Sequence, residues 1–272
     1  MQWTLSQDKY NQFLKINLKP NDTLYIKPNH LVMYQGNISI ENQNFKSKFL
    51  NFIKGIKNRD QRNLIESVIN FFITKITANE DTQIVLSNTI PGDITPIEIN
   101  QDEEYIIIAD YYVAHYGDIC LSLETEYIKK YLFSNILPKP SFSTLRSILS
   151  LRSILRTILK IKKIPLLLLE YLLSEKNFYS YLKHLLCLSV KGNGIIFLGG
   201  FGTVKELQVD QETMVNYFHL IAMKKNIPTS QQEIVNFNEN LFLKINSNSK
   251  IYIQSKNWNL FSNIGIEKQT IK

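Results

Sequence analysis

Three stretches of the chain read alike, and that likeness limits the fold more than any other feature. They are "LKPNDTLYIKPNHLVMYQGNISIE" from Leu18, "INQDEEYIIIADYYVAHYGDICLSLE" from Ile99 and "LQVDQETMVNYFHLIAMKKNIPTS" from Leu207. Each runs from an apolar residue through a short polar turn into alternating apolar positions, then a polar break and a second apolar run. At offsets of 81 and 108 residues, Val32, Val113 and Ile221 coincide, as do Ile26, Ile107 and Val215, and His30 meets His219. Companion stretches at 71–88, 185–200 and 240–257 read as three hairpins, each with alternating arms about a turn of Asn, Asp, Gly or Ser. The order is the same each time: a meander, a variable middle, a hairpin. Self-similarity at so long a period predicts internal repeats, placed at about 4–90, 91–200 and 201–262 of a single β domain spanning 1–272.

The repeats need joints. The first is "IPGDITPIEI", where Pro91 presets one dihedral and Gly92 tolerates the positive φ that often follows, with Asp93 closing the turn. The second is "GGFGTVKEL", with Gly199, Gly200 and Gly202. At offset 108, Gly92 falls on Gly200, Thr95 on Thr203 and Glu98 on Glu206. Backbone freedom at these places predicts that the chain changes sheet there.

The "IPGDITPIEI" joint, "YIIIADYYVAHYGDICLSLE", "GNGIIFLGGFGTVKEL" and the closing "NSKIYIQSKN" resemble the altered-inheritance-of-mitochondria family related to yeast family member twenty-four. The resemblance covers nearly the whole chain outside 128–183. It implies a fold similar to the trp RNA-binding attenuation protein: mainly β, with three short β-sandwich repeats, double-stranded β-helix-like, about a pseudo-threefold axis. It also implies a link to inner-membrane organisation and cristae-shaping complexes, and brings no catalytic residues. The chain departs from the family in two of its middles. The first, 45–70, holds one glycine, Gly55, and reads as helical; the second is a long insertion.

That insertion carries the positive charge. Between Ile128 and Lys183 there are eleven Lys/Arg and two Glu, a local net of +9 within a total of +7, so the rest of the chain stands at −2. Its segment 141–165 is "SFSTLRSILSLRSILRTILKIKKIP", with "LRSIL" twice. Pro140 with Ser141 or Ser143 suits a helix start, and Pro165 a stop. On a helix, Arg152, Arg156, Lys160 and Lys163 form one stripe, with Arg146 and Lys162 adding charge, opposite a broad face of Leu and Ile. A second helix is expected from Leu166 to about His184, making an inserted α-helical hairpin over 128–184. Two readings follow: a hairpin whose apolar faces pack together and on the body, its charges merely solvated, or a basic amphipathic helix on an anionic membrane. Contact with a partner helix or a nucleic acid is a third.

The remaining residues point away from chemistry. The cysteines, Cys120 and Cys187, are far apart with no CxxC, which predicts two reduced, buried thiols. No HxH pair occurs among His30, His115, His184 and His219, so no metal or cofactor is expected; a threefold histidine site fails because offset 81 brings His115 to Tyr34. GxSxG is missing, and Gly192 and Gly194 in "KGNGI" read as a hairpin turn rather than a phosphate loop. Tyr111, Tyr112, Tyr116, Tyr127, Tyr131 and Phe133 are strand packing or a base-stacking platform, and the −2 of the body opposes phosphate. "MQWTLSQDKYNQ" lacks an apolar h-region and a basic head. No apolar run reaches membrane length, the nearest being interrupted by Glu170. The expected protein is a non-enzymatic scaffold or binding module, cytoplasmic or peripheral at a membrane. Its expected partner is an anionic membrane surface or a protein, including further copies of itself. The alternative is an RNA- or small-ligand-binding β-sandwich.

Overall fold

The computed structural model describes residues 1–6, 12–41, 73–124, 187–225, 233–237 and 240–257, and every regular element in them is a strand or a 3-10 turn. The first block holds β1 (Gln2–Leu5), β2 (Phe13–Leu18), β3 (Thr23–Ile26), a 3-10 turn at Pro28–His30, β4 (Leu31–Gln35), β5 (Ile38–Ile40), β6 (Thr74–Ala78) and β7 (Thr82–Ser87). The second holds β8 (Ile94–Ile99), β9 (Tyr105–Ile108), a turn at Ala109–Tyr111, β10 (Tyr112–Leu123) and β11 (Cys187–Gly199). The third holds β12 (Val204–Val209), β13 (Thr213–Asn216), a turn at Tyr217–His219, β14 (Leu220–Lys224), β15 (Ile234–Phe237), β16 (Asn240–Ile245) and β17 (Ser249–Gln254). The order strand, strand, 3-10 turn, strand thus occurs three times, and the turns are spaced by 81 and then 108 residues.

The strands form because one face of each is apolar. In β2, Leu14, Ile16 and Leu18 are buried while Lys15 and Asn17 face solvent. Fully burying one such side chain contributes about 1.5–3 kcal/mol. β9 is buried at every position: β11 and β14 pair with its two edges, and all four of its side chains pack into one core. The residue just after each 3-10 turn's closing position sits at a register shift, between Leu31 and Met33, Tyr112 and Ala114, and Leu220 and Ala222. Val32, Val113 and Ile221 are the extra residues, so the offsets align three β-bulges.

Within each block the two strands that precede the 3-10 turn do not pair with each other. β2 pairs with β1 and β7, while β3 pairs with β6 and, across the block boundary, with β10. The sheets among the described residues are β1-β2-β7-β4, a ten-stranded sheet running from β12 to β5, and β13-β16-β15. Two boundaries are closed by strand pairing with one register. β10 meets β3 through Ala114 with Ile26, His115 with Tyr25 and Tyr116 with Leu24. β14 meets β9 through Ala222 with Ile107, Met223 with Ile106 and Lys224 with Tyr105. Each of the two cores therefore draws on two blocks: Leu14, Ile26 and Ile84 share one with Val113 and Phe197, and Ile107, Tyr112 and Leu198 share the other with Ile221 and Ile251.

Several expectations are corrected. The stretches 71–88 and 240–257 are not hairpins: β6 pairs with β3 and β5 but β7 with β2 and β4, and β16 pairs with β13 and β15 but β17 with β12 and β14. "KGNG" is no turn either. It lies inside β11, where Gly192, at φ 124°, lets the strand bend between its two sets of partners. Cys187 is buried, but Cys120 is exposed. The helical readings of 45–70 and of the inserted hairpin at 128–184 lie outside the described residues, and so do Arg146, Arg152, Arg156, Lys160, Lys162 and Lys163.

Candidate functional site: the joint and the polar seam

The six joint residues come together. Gly92 and Gly202 form a parallel bridge. Asp93 N donates to Gly202 O, Gly200 N to Asp93 O and Gly202 N to Pro91 O, each at 2.9 Å, and Val204 N donates to the Asp93 carboxylate at 3.2 Å. Gly92 meets Gly202, not the Gly200 that offset 108 gives. The β8 to β9 connection is two residues longer than that from β12 to β13, so the joints lie 110 apart. A Cβ on Gly92 would collide with Gly200 O and with both N and O of Gly202, all backbone that cannot swing aside. Gly199 packs against the Asn88 amide, whose Nδ2 donates to Gly200 O at 2.7 Å.

The third strand end joins the same cluster through Gln254, which is buried. Its Oε1 accepts from Phe201 N at 2.8 Å, and its Nε2 donates to Tyr111 OH at 2.6 Å and Phe218 O at 2.9 Å. One side chain thus ties the second joint to two 3-10 turns. Sequence reading missed it, although a glutamine at an inward position of "SKIYIQ" is a signal, since a buried amide needs all its partners. The histidines follow the same pattern. His30 Nδ1 donates to Ser87 O at 2.7 Å and His219 Nδ1 to Gln254 O at 2.8 Å, since a carbonyl can only accept. In the middle block the position belongs to Tyr111. His115 lies instead on β10, stacked 4.6 Å from Tyr25 and bonded through Nδ1 to Tyr112 OH at 2.8 Å; burial lowers its pKa to about 4. Among the described residues no group of three His, Cys, Asp or Glu could hold a metal.

The second feature is a polar seam between the second and third blocks. Lys225 Nζ reaches Glu104 at 2.8 Å and Glu124 at 2.9 Å; Lys191 reaches Glu104 at 3.1 Å, Ser189 Oγ donates to Glu104 at 2.6 Å, and Lys224 reaches Glu103 at 2.7 Å. Burial raises the Glu104 pKa, but Lys225, Ser189 and Lys191 outweigh it and hold the carboxyl below its ordinary value. For Lys225, burial works downward and the two glutamates win, so its pKa is raised. Beside this cluster Glu124 N donates to Cys187 O at 2.8 Å, which brings the two ends of the 125–186 excursion together. Burial pushes the Cys187 thiol up to about 12, so it is no thiolate nucleophile at neutral pH.

The arrangement binds backbone and charge to itself. Tyr111 and Tyr112 are buried, so neither offers a face for base stacking, while Tyr127, Tyr131 and Phe133 lie outside the described residues. An open groove of about 670 Å³ runs past Asn17, Lys19, Gln35, Glu80 and Gln83, with charges of both signs.

A family model described as mitochondrial biogenesis AIM24 matches residues 3–152 and 155–256. No curated protein matches. Among solved structures, an X-ray structure of a Streptococcus pyogenes protein is similar over 97% of each chain, with a TM-score of 0.61 and 16% sequence identity. At that identity the likeness concerns the fold alone.

Proposed function

Because the chain belongs to the mitochondrial biogenesis AIM24 family, we propose that it is a non-enzymatic scaffold or binding protein that meets an anionic membrane surface through its basic insertion. The three blocks are repeats arranged as if about a pseudo-threefold axis with one boundary left open, a reading supported by the common register of the other two boundaries and by the convergence of the joints. The observation that carries the membrane reading is the closed base of the insertion. Glu124 and Cys187 are hydrogen-bonded neighbours beside the Lys225 cluster. The segment 125–186, with eleven Lys/Arg and three Glu, therefore leaves and re-enters the sheet at one place with a net of +8, while the rest of the chain stands at −1. Each Lys or Arg near an anionic surface contributes about 1 kcal/mol, and salt screens it.

Co-sedimentation with liposomes of anionic or zwitterionic lipid tests this, using the full chain and one lacking 141–164, at low and high salt. The full chain is expected to pellet with anionic liposomes at low salt, to release at high salt, and to lose binding with the segment. A full chain that stays in the supernatant with anionic liposomes at low salt sinks the membrane reading.

A further inference from the structure

Among the open sheet edges of the described residues, two fit each other. β4 pairs on one side only, with β7, and β13 pairs on one side only, with β16. The counterparts of β4 in the other blocks, β10 and β14, each pair with the preceding block's counterpart of β13, namely β3 and β9. Carried to the first and third blocks, that register sets Met33 against Val215, Tyr34 against Met214 and Gln35 against Thr213.

Exposure marks the same residues. Val113 and Ile221, at the bulges of the paired blocks, are 0% exposed, whereas Val32 is 52% exposed. Met33 is 48%, Tyr34 49% and Met214 45% exposed, though at those places in the other seams Ala114, Ala222, His115, Met223 and Ile106 are buried and Tyr25 is half-buried. Exposed edges are normally blunted by Lys, Pro or an inward charge. "LVMYQ" and "TMVN" contain none of these. The flanking polar contacts agree. Tyr116 OH donates to Asp22 at 3.0 Å and Lys224 bonds Glu103 at 2.7 Å, each two residues before the Cα partner; the corresponding pair is Gln35 and Gln211, two neutral amides with no charge to repel.

We propose that β4 of one copy pairs antiparallel with β13 of a second copy, extending β1-β2-β7-β4 by β13-β16-β15. One chain carries each edge once and leaves both open, so the contact is head-to-tail. It closes in a reciprocal dimer or a ring. Tyr34 then lies across from Met214, an aromatic ring against a thioether. This rests on strand register, independently of the membrane reading.

The test uses the full chain in a Cys120→Ser background, since that thiol is exposed. Tyr34→Cys and Met214→Cys are made singly and together; both sites are exposed, so folding is expected to survive, as circular dichroism would verify. Directly opposed antiparallel residues lie within disulfide reach. Mixing the two single variants under mild oxidation is expected to give a covalent dimer of one of each. Light scattering is expected to give more than a single-chain mass, falling to one chain with Tyr34→Lys. A single-chain mass at all concentrations, a disulfide formed only within the doubly substituted chain, or no disulfide at all would each overturn the proposal.

Discussion

His115 is held neutral by its surroundings. It is 3% exposed, stacked on Tyr25 and bonded to Tyr112, with no carboxylate among these neighbours. Burial alone lowers its pKa from 6.5 to about 4. As pH falls below 6.5 the unfolded chain takes up a proton that the folded chain refuses, so stability falls with pH between about 6.5 and 4. At about 1.4 kcal/mol per pH unit the loss is at most ~3.5 kcal/mol. His115→Phe keeps the stack on Tyr25 and leaves Tyr112 OH its bond to Tyr25 O. Urea unfolding at pH 7, 6 and 5 is expected to show the parent chain losing stability faster than the variant. Parallel curves would place the pH sensitivity elsewhere. Nothing in "VAHYG" announces this, because burial at that position depends on Tyr25 of another block.

At the scale of the element, Lys225 faces two carboxylates at once. Lys225→Met leaves Glu124 without that cation and Glu104 with Lys191 and Ser189 only. A loss of about 1–3 kcal/mol is expected near neutral pH. It should shrink in acid, because the Glu104 carboxyl whose pKa Lys225 helps to hold down is protonated there and the pair is lost, so the variant and parent midpoints converge. A gap that stays constant would mean that Lys225 acts through its stem rather than its charge. Neither this cluster nor Gln254 follows from the sequence, since their contacts join residues 36 to 143 positions apart. Local chemistry was legible where it suffices. Pro91, Gly92 and Gly202 mark the joints because only small or φ-restricted residues allow backbones to approach so closely. The strands and their inward faces were legible for the same reason. Their partners were not: "TKITANEDTQIVLS" has the pattern of a hairpin, and a corner that passes a strand from one sheet to another has that pattern too. Alternation records which face is buried and says nothing about who lies alongside.

Over the whole molecule, shared strands tie the blocks together. β3 belongs to the first block yet completes the sheet of β10, and β9 does the same for β14. Both cores cross these boundaries, so removing one block would strip apolar surface from its neighbour. Independent unfolding of a block would expose both its own core and part of the next one, which favours a single transition. Trp3 is placed to report on this. Its ring meets Phe197 of β11 edge-on at 5.6 Å, a contact between the first strand and the second block. With Trp258→Phe leaving Trp3 as the only indole, its fluorescence and far-ultraviolet circular dichroism are expected to change with the same urea midpoint. If the fluorescence moved first, the first block would be opening by itself, and the strand exchange at β3 and β10 would be too weak to bind the three blocks into one cooperative unit.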